Sequence, residues 1–323
     1  MKPTFVDLHC DTLLTLRLEN CGLDNAPGHI DLDKLCAGGA LLQCLAVFIP
    51  DHEDAVQYGI QESPWKFFQS QHALFQREMA RFPDQIRPAR NMADIRRNAD
   101  EGRISALLTV EDGACVEGKM ERLQTMYDAG VRLITLTWNY ANCFGFPNSP
   151  DPEQHNKGLT NFGREAVEEM NRLGIAVDVS HLSEGGFWDV AAVSRKPFLA
   201  SHSCARALCD HSRNLTDGQL RALGDAGGVC GVNFYSRFLK PGGEHTENAD
   251  ILRHMAHIAD KAGIGAVALG SDFDGIDCTL EMKDYSGLER LADEIADRFG
   301  ADAADKICRD NALRVLADNL KGE

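Results

Sequence analysis

Eight short apolar segments, rich in β-branched residues and separated by stretches of helical periodicity, constrain the fold of this chain more than any other feature. The segments are "TFVDLH", "ALLQCLAVFI", "ISALLTVE", "VRLITLT", "IAVDVS", "PFLAS", "GGVCGVNF" and "AVALGSD". Between them lie amphipathic stretches such as "WKFFQSQHALFQREMARF", "NFGREAVEEMNRLG", "LTDGQLRALGDAG" and "ADILRHMAHIADKAG". Several close on the glycine that commonly ends a helix. Parallel strands need long crossovers and helices supply them, so this alternation predicts an α/β fold of the (β/α)8 barrel (TIM barrel) type. A doubly wound open sheet is the competing arrangement. It loses ground because no G-x-G-x-x-G follows the first strand.

No Pro/Gly/Ser-rich linker, charge block or low-complexity tract divides the chain, so residues 1–323 read as a single domain. From Ser286 onward the pattern turns helical, predicting a helical C-terminal tail. Two long loops, 142–158 and 235–248, follow the fourth and seventh strands. A net charge of −16 argues against a nucleic-acid partner or an anionic membrane surface. No apolar run approaches the roughly 18 residues of a membrane span. No basic leader with an apolar core precedes Thr4, so a cytoplasmic protein is expected. The 11 cysteines are odd in number and contain no C-x-x-C pair, which fits reduced, buried thiols better than disulfides.

In a barrel of this kind the chemistry sits at the C-terminal ends of the strands. His9 and Asp11 follow the first segment and Glu111 ends the third. His181 follows the fifth, His202 the sixth, and Asp272 the eighth. A lone strand-end histidine is usually a satisfied structural residue; six ionisable groups on one rim are hard to explain as packing. Burying them without a cation is costly. Imidazole and carboxylate without thiolate suit Zn²⁺ or a similar divalent ion, and the number of ligands exceeds what one catalytic zinc needs. A site for two metal ions fits better, with His9 and Asp11 on one, His181 and His202 on the other, and Glu111 as the bridge.

In order and spacing, "DLHCDTLL", "TVEDG", "LITLTWN", "GLTNFGREAVEEMNRLGIAVDVSHLS", "ASHSCARALCDHSRNLTDGQL", "GGVCGVNF" and "LGSDFDG" resemble the membrane dipeptidase (renal dipeptidase) family, peptidase family M19, among the amidohydrolase-like dizinc barrels. The resemblance runs over nearly the whole chain. It implies two Zn²⁺ per chain, other divalent metals being possible, with His9, Asp11 and Glu111 on one ion and Glu111, His181 and His202 on the other. It further implies that Arg213, in "HSRNLTD", grips the substrate's terminal carboxylate. Asp272 would be the acid/base group. A homodimer and tolerance for a D-residue at the C-terminal position of a dipeptide substrate are implied as well. One departure stands out: where several members carry a substrate-binding histidine after the fourth strand, this chain has Trp138, Asn139 and Tyr140. Asn139 and Tyr140 then become the candidate substrate-binding donors.

The expected reaction is hydrolysis of a small dipeptide by a metal-bridging hydroxide, with Glu111 and Asp272 as the catalytic carboxylates. Two rivals are weighed against it. One is another binuclear amidohydrolase acting on N-acyl amino acids, cyclic amides or lactones, with Arg213 still holding a carboxylate. The other is a catalytically silent binding protein on the same barrel; its signature, a lost ligand or a lost Asp272, is absent.

Overall fold

The computed structural model describes residues 4–321. Eight parallel strands close into a barrel: β1 (Phe5–Asp7), β2 (Ala40–Phe48), β3 (Ile104–Glu111), β4 (Val131–Thr135), β5 (Ala176–Asp178), β6 (Leu199–Ser203), β7 (Val229–Val232) and β8 (Val267–Leu269). Each pairs with its sequence neighbour, and Asp7 of β1 in register with Leu269 of β8 completes the ring. Seven fall within the segments singled out from the sequence, the eighth, β6, runs two residues past "PFLAS" to Ser203, and the helices expected between them form. The Asn161–Leu173 helix, for example, is capped at its start by the Thr160 hydroxyl on the Gly163 amide. It ends at Gly174, whose φ of +94° lies in the left-handed region that glycine tolerates.

Several short elements were not anticipated. A strand at Ile86–Pro88 extends the sheet against the lower half of β3. The loop at 235–248 contains the one-turn helix Ser236–Leu239, and its His245–Thr246 pair forms a parallel ladder with Thr279–Leu280. Such brief elements carry too little periodicity to be read from sequence. All 11 cysteines are free and seven are buried, as their apolar surroundings suggested. No helix among the described residues is long and apolar enough to cross a membrane.

The apolar interior is divided in two by the sheet. Outside the barrel wall, the outward strand residues pack against the helices. Inside it, every strand contributes: Val6, Leu42, Leu107, Leu133, Ala176, Leu199, Val229 and Ala268 form one cluster. That cluster is closed from below by the C-terminal helix Asn311–Asn319, whose Ala312, Val315 and Leu316 enter it together with Leu320. Polar side chains fix the helix in place. Asn311 Nδ2 donates to the carbonyls of Ile264 and Val267, and Asn319 Nδ2 to that of Pro197, all at the N-terminal ends of strands. The tail therefore floors the barrel, leaving the opposite rim for function. Leu316→Ala should cost about 2–5 kcal/mol, the usual price of a buried leucine truncation. Chemical denaturation would read this as a lower midpoint with an unchanged slope; an unchanged midpoint would place the helix outside the cooperative unit.

Candidate metal centre and substrate pocket

The six rim residues meet. His9 Nε2 lies 3.3 Å from Asp11 Oδ2, 3.4 Å from Glu111 Oε2 and 3.7 Å from Asp272 Oδ1. On the other side, Glu111 Oε1 lies 3.0 Å from His181 Nε2 and 3.2 Å from His202 Nε2, which are themselves 3.0 Å apart. The two oxygens of one carboxylate thus face two different sets of donors. Potential ligand atoms cluster in two overlapping groups, His9, Glu111, His202 and His9, Asp11, Asp272. The barrel explains the convergence: Phe48, Glu111, Thr135 and Asp178 are in register across β2 to β5, so their neighbours project from one level.

Asp7 does not join this set, although strict alternation along an extended segment would align it with His9 and Asp11. β1 ends at Asp7, and beyond it the alternation lapses. Its buried carboxylate instead accepts bonds from the Ser271 amide (2.8 Å), the Ser271 hydroxyl (2.6 Å) and Gln43 Nε2 (3.1 Å). It thereby fixes the segment that carries Asp272. Small size matters here too: a Cβ on Gly275 would lie 2.2 Å from Asp11 Oδ2 and 2.6 Å from Asp272 Oδ1. The backbone is strained around the site. His181, Asp272, Asp274 and Asp112 all have φ between 62° and 69°, values that L-residues hold only when their surroundings force them.

The surroundings that do so are polar. The His181 carbonyl accepts from both the amide (2.6 Å) and the side chain (3.3 Å) of Asn148 in the 142–158 loop. Ser212 Oγ in turn donates to Asn148 Oδ1, tying that loop to the one bearing Arg213. Asp274 accepts from the His29 amide and the Thr12 hydroxyl, so it anchors loops instead of facing the pocket with a free carboxylate.

His202 is oriented by a chain of bonds that sequence inspection missed. Asp178 is fully buried and accepts from Thr135 Oγ1, the amides of Ser180 and Ser201, and Ser201 Oγ. Because the Ser201 hydroxyl proton goes to Asp178, its oxygen is free to accept from His202 Nδ1, 2.7 Å away. That assigns the ring proton to Nδ1 and leaves the Nε2 lone pair pointing at Glu111. His181 Nδ1 lies 3.3 Å from Asn139 Oδ1, which favours the same tautomer. The signal was present in sequence as "VDVSHLS" and "LASHS", where serine precedes each histidine, and as Asn233 in "GVCGVNF". Asn233 Nδ2 donates to Asp272 Oδ2 at 2.7 Å.

Electrostatics show what the set lacks. Burial, followed by the positive charges of Arg213 and His9, holds His181 and His202 well below the usual imidazole range, so both stay neutral. Burial lowers His9 as well, but Glu111 and Asp11 overcome it and keep the ring protonated. Glu111 is pushed up to about 8 by burial and by the repulsion of Asp11 and Asp272, against the pull of His9. Burial also raises Asp272. Two imidazole lone pairs and a carboxylate oxygen aimed at one point, beside an Asp11 Oδ1 with no partner, fit a divalent cation.

The pocket above, about 610 Å³, is lined by Asp11, Glu111, His181 and Asp272 and by Arg213. Arg213 is buried. Its Nη1 donates to Ser203 Oγ and its Nη2 to the His202 carbonyl, while Nε has no partner. Asn139 and Trp138 also line the pocket. Tyr140, expected beside the substrate, does not. It is 43% exposed and lines a neighbouring cleft with Asp51 and Asn142, because the chain turns outward after Asn139.

Ser201→Ala removes the acceptor that fixes the His202 tautomer without touching a ligand. Affinity for a divalent cation should fall about 10–100-fold. Chelator competition would measure it, with circular dichroism confirming the fold; unaltered affinity would reduce Ser201 to a packing residue.

Residues 2–321 match the family model for membrane dipeptidase, peptidase family M19. The chain is 33% identical over 304 residues to the dipeptidase aclJ of Aspergillus oryzae, spanning 91% of this chain and 71% of that protein. It is similar to the crystal structure of a dipeptidase described as a metallo peptidase of family M19, with a TM-score of 0.89, 27% identity and full coverage of both chains. A metallo peptidase from Rhodobacter sphaeroides, solved with a phosphinate mimic of the dipeptide L-Ala-D-Ala, superposes with a TM-score of 0.88 at 28% identity, covering 99% of this chain and 100% of that one. With its closed barrel and its histidine–carboxylate rim, the chain belongs to the membrane dipeptidase family of metal-dependent hydrolases, peptidase family M19.

Proposed function

We propose that this protein is a zinc-dependent dipeptidase that binds two Zn²⁺ per chain and cleaves small dipeptides, including those with a D-residue at the C-terminal position. The observation that carries the proposal is the position of Glu111. One oxygen faces His9 and the other faces His181 and His202, with Asp11 completing the first set. The phosphinate mimic of L-Ala-D-Ala bound by the Rhodobacter sphaeroides relative supports the D-residue. Bound in this site, divalent cations supply a lowered pKa for water and polarisation of the scissile carbonyl.

The protein's own groups do the rest. Arg213, with Nη1 held on Ser203 and Nη2 on the His202 carbonyl, would pair its remaining N–H groups with the substrate's terminal carboxylate in the planar geometry of a guanidinium. Placing that carboxylate at a fixed distance from Glu111 sets the length of the substrate to two residues. Asp272, held by Asn233, takes a proton from the attacking water and hands it to the leaving amine. Asn139 lines the pocket as a substrate-facing amide. Residues 1–323 act as one unit, barrel and floor together. The family resemblance supports a homodimer, and the composition supports a cytoplasmic setting without nucleic-acid or membrane partners.

The test combines metal content with turnover. Purified protein grown in zinc should carry two equivalents of metal, hydrolyse L,L- or L,D-dipeptides, and lose activity to a chelator. Failure on dipeptides with turnover of N-acyl amino acids, cyclic amides or lactones would instead identify a different binuclear amidohydrolase. Asp272→Asn keeps the shape but cannot accept a proton, so turnover should fall by roughly 10²–10⁴ with metal retained. Near-normal turnover would misplace the proton shuttle, and loss of metal would make Asp272 chiefly a ligand. Arg213→Lys replaces the fork with a point charge and should raise KM for dipeptides while narrowing the advantage of a free C-terminus over an amidated one.

A further inference from the structure

The substrate pocket carries a second arginine. Arg237 lies on the one-turn helix Ser236–Leu239, between Tyr235 and Phe238, and all three line the pocket that holds Arg213. Phe238 joins the two cations spatially: its ring lies 5.4 Å from the Arg213 guanidinium carbon and packs against His211, another wall residue. Unlike Arg213, Arg237 is exposed, and among the described residues its guanidinium has no hydrogen bond or ion pair. In a chain with 49 acidic against 33 basic residues, most arginines near a carboxylate have found one. An unpaired one on the wall of a substrate pocket is therefore a free anion-binding group. One competing charge is Asp277, which lines the same pocket, faces Tyr235, and is not ion-paired with Arg237.

The position of Arg237 decides which part of a substrate it meets. With Arg213 holding the terminal carboxylate, as proposed above, Arg237 lines the same pocket one residue before Phe238, whose ring lies 5.4 Å from the Arg213 guanidinium carbon. A side chain that reaches Arg237 from a carboxylate held by Arg213 would then be that of the C-terminal residue. Leu14, Phe48, Tyr58 and Trp138 give the same pocket an apolar lining for the other side chain. We propose that Arg237 is a specificity residue that reads a second carboxylate, so that the preferred substrates are dipeptides whose C-terminal residue is aspartate or glutamate. This rests on the dipeptidase function proposed above and names its substrate class.

The experiment compares dipeptides that differ by one atom pair at the reading point: alanyl-glutamate against alanyl-glutamine, each in L,L and L,D form, with zinc-loaded enzyme. In whichever stereochemical series is cleaved, wild type should favour glutamate in kcat/KM by roughly fivefold or more, the range between an exposed and a partly desolvated charged hydrogen bond. High salt should shrink that ratio. Arg237→Met, which keeps the aliphatic stem, should bring it to about one, and Asp277→Asn, which removes the competing charge, should raise it. Equal rates for glutamate and glutamine in wild type would overturn the inference while leaving dipeptidase activity intact. A ratio that survives Arg237→Met would overturn it as well. Zinc-loaded protein that cleaves none of the four but hydrolyses other dipeptides would overturn this inference alone, whereas protein that cleaves no dipeptide would sink the dipeptidase function and this inference with it.

Discussion

One buried carboxylate organises the rim. Glu111 ends β3, 2% exposed, at the level where Phe48 and Thr135 flank it across the sheet. A carboxylate removed from water must be protonated, paired or bound to a cation. Here its two oxygens are shared between a protonated His9 and a pair of neutral imidazoles. Neither side neutralises it fully, and burial keeps its proton affinity high. The strained backbones of His181 and Asp272 place groups around this one carboxyl group. The scaffold below has to hold them there.

It does so with the same clasp on two sides of the barrel. On one, Asp7 accepts from both the amide and the hydroxyl of Ser271, joining β1 to the segment beyond β8 that bears Asp272. On the other, Asp178 accepts from the amide and hydroxyl of Ser201, joining β5 to β6 next to His202. Each buried aspartate is satisfied by donors from the adjoining strand and never faces the pocket. A carboxylate clasp of this kind resists shear between strands at the level where ligand positions must hold to a fraction of an ångström. It also accounts for polar residues inside strand segments, where an apolar residue would pack more simply.

What sequence made legible, and what it hid, follows from these distances. The main helices were clear because burial of one face imposes a pattern over ten or more residues, and the eight strands were clear as short apolar, β-branched runs alternating with them. The six rim residues were clear because they stand at strand ends, where ionisable groups have few packing explanations. Tyr140 misled because five residues past the end of β4 the direction of a side chain depends on loop path, and the chain turned it outward to the Asp51 cleft. Asp178 and Asp7 were hidden for the opposite reason. Aspartates inside strands look like pocket residues, and only their partners, at separations of 23 and 264 residues, reveal them as clasps. Arg237 sat unread in a loop whose one-turn helix has no sequence period, so nothing there distinguished it from an ordinary surface cation.

The two ends of the barrel therefore carry opposite burdens. At the N-terminal end, Ala312, Val315, Leu316 and Leu320 close an all-apolar interior, and Asn311 and Asn319 satisfy strand-end carbonyls that would otherwise be orphaned. Each contact there lowers the free energy of the fold with no chemical task attached. At the other end, unmatched charge, close-set lone pairs and left-handed aspartates raise it, and the strain costs on the order of 1–3 kcal/mol per residue so held. A cation that enters the rim offsets the unmatched charge in the folded state alone, since unfolding scatters its ligands from residue 9 to residue 202. By linkage, the ion required for chemistry is then also a source of stability, and the apolar floor must keep the barrel closed until it arrives.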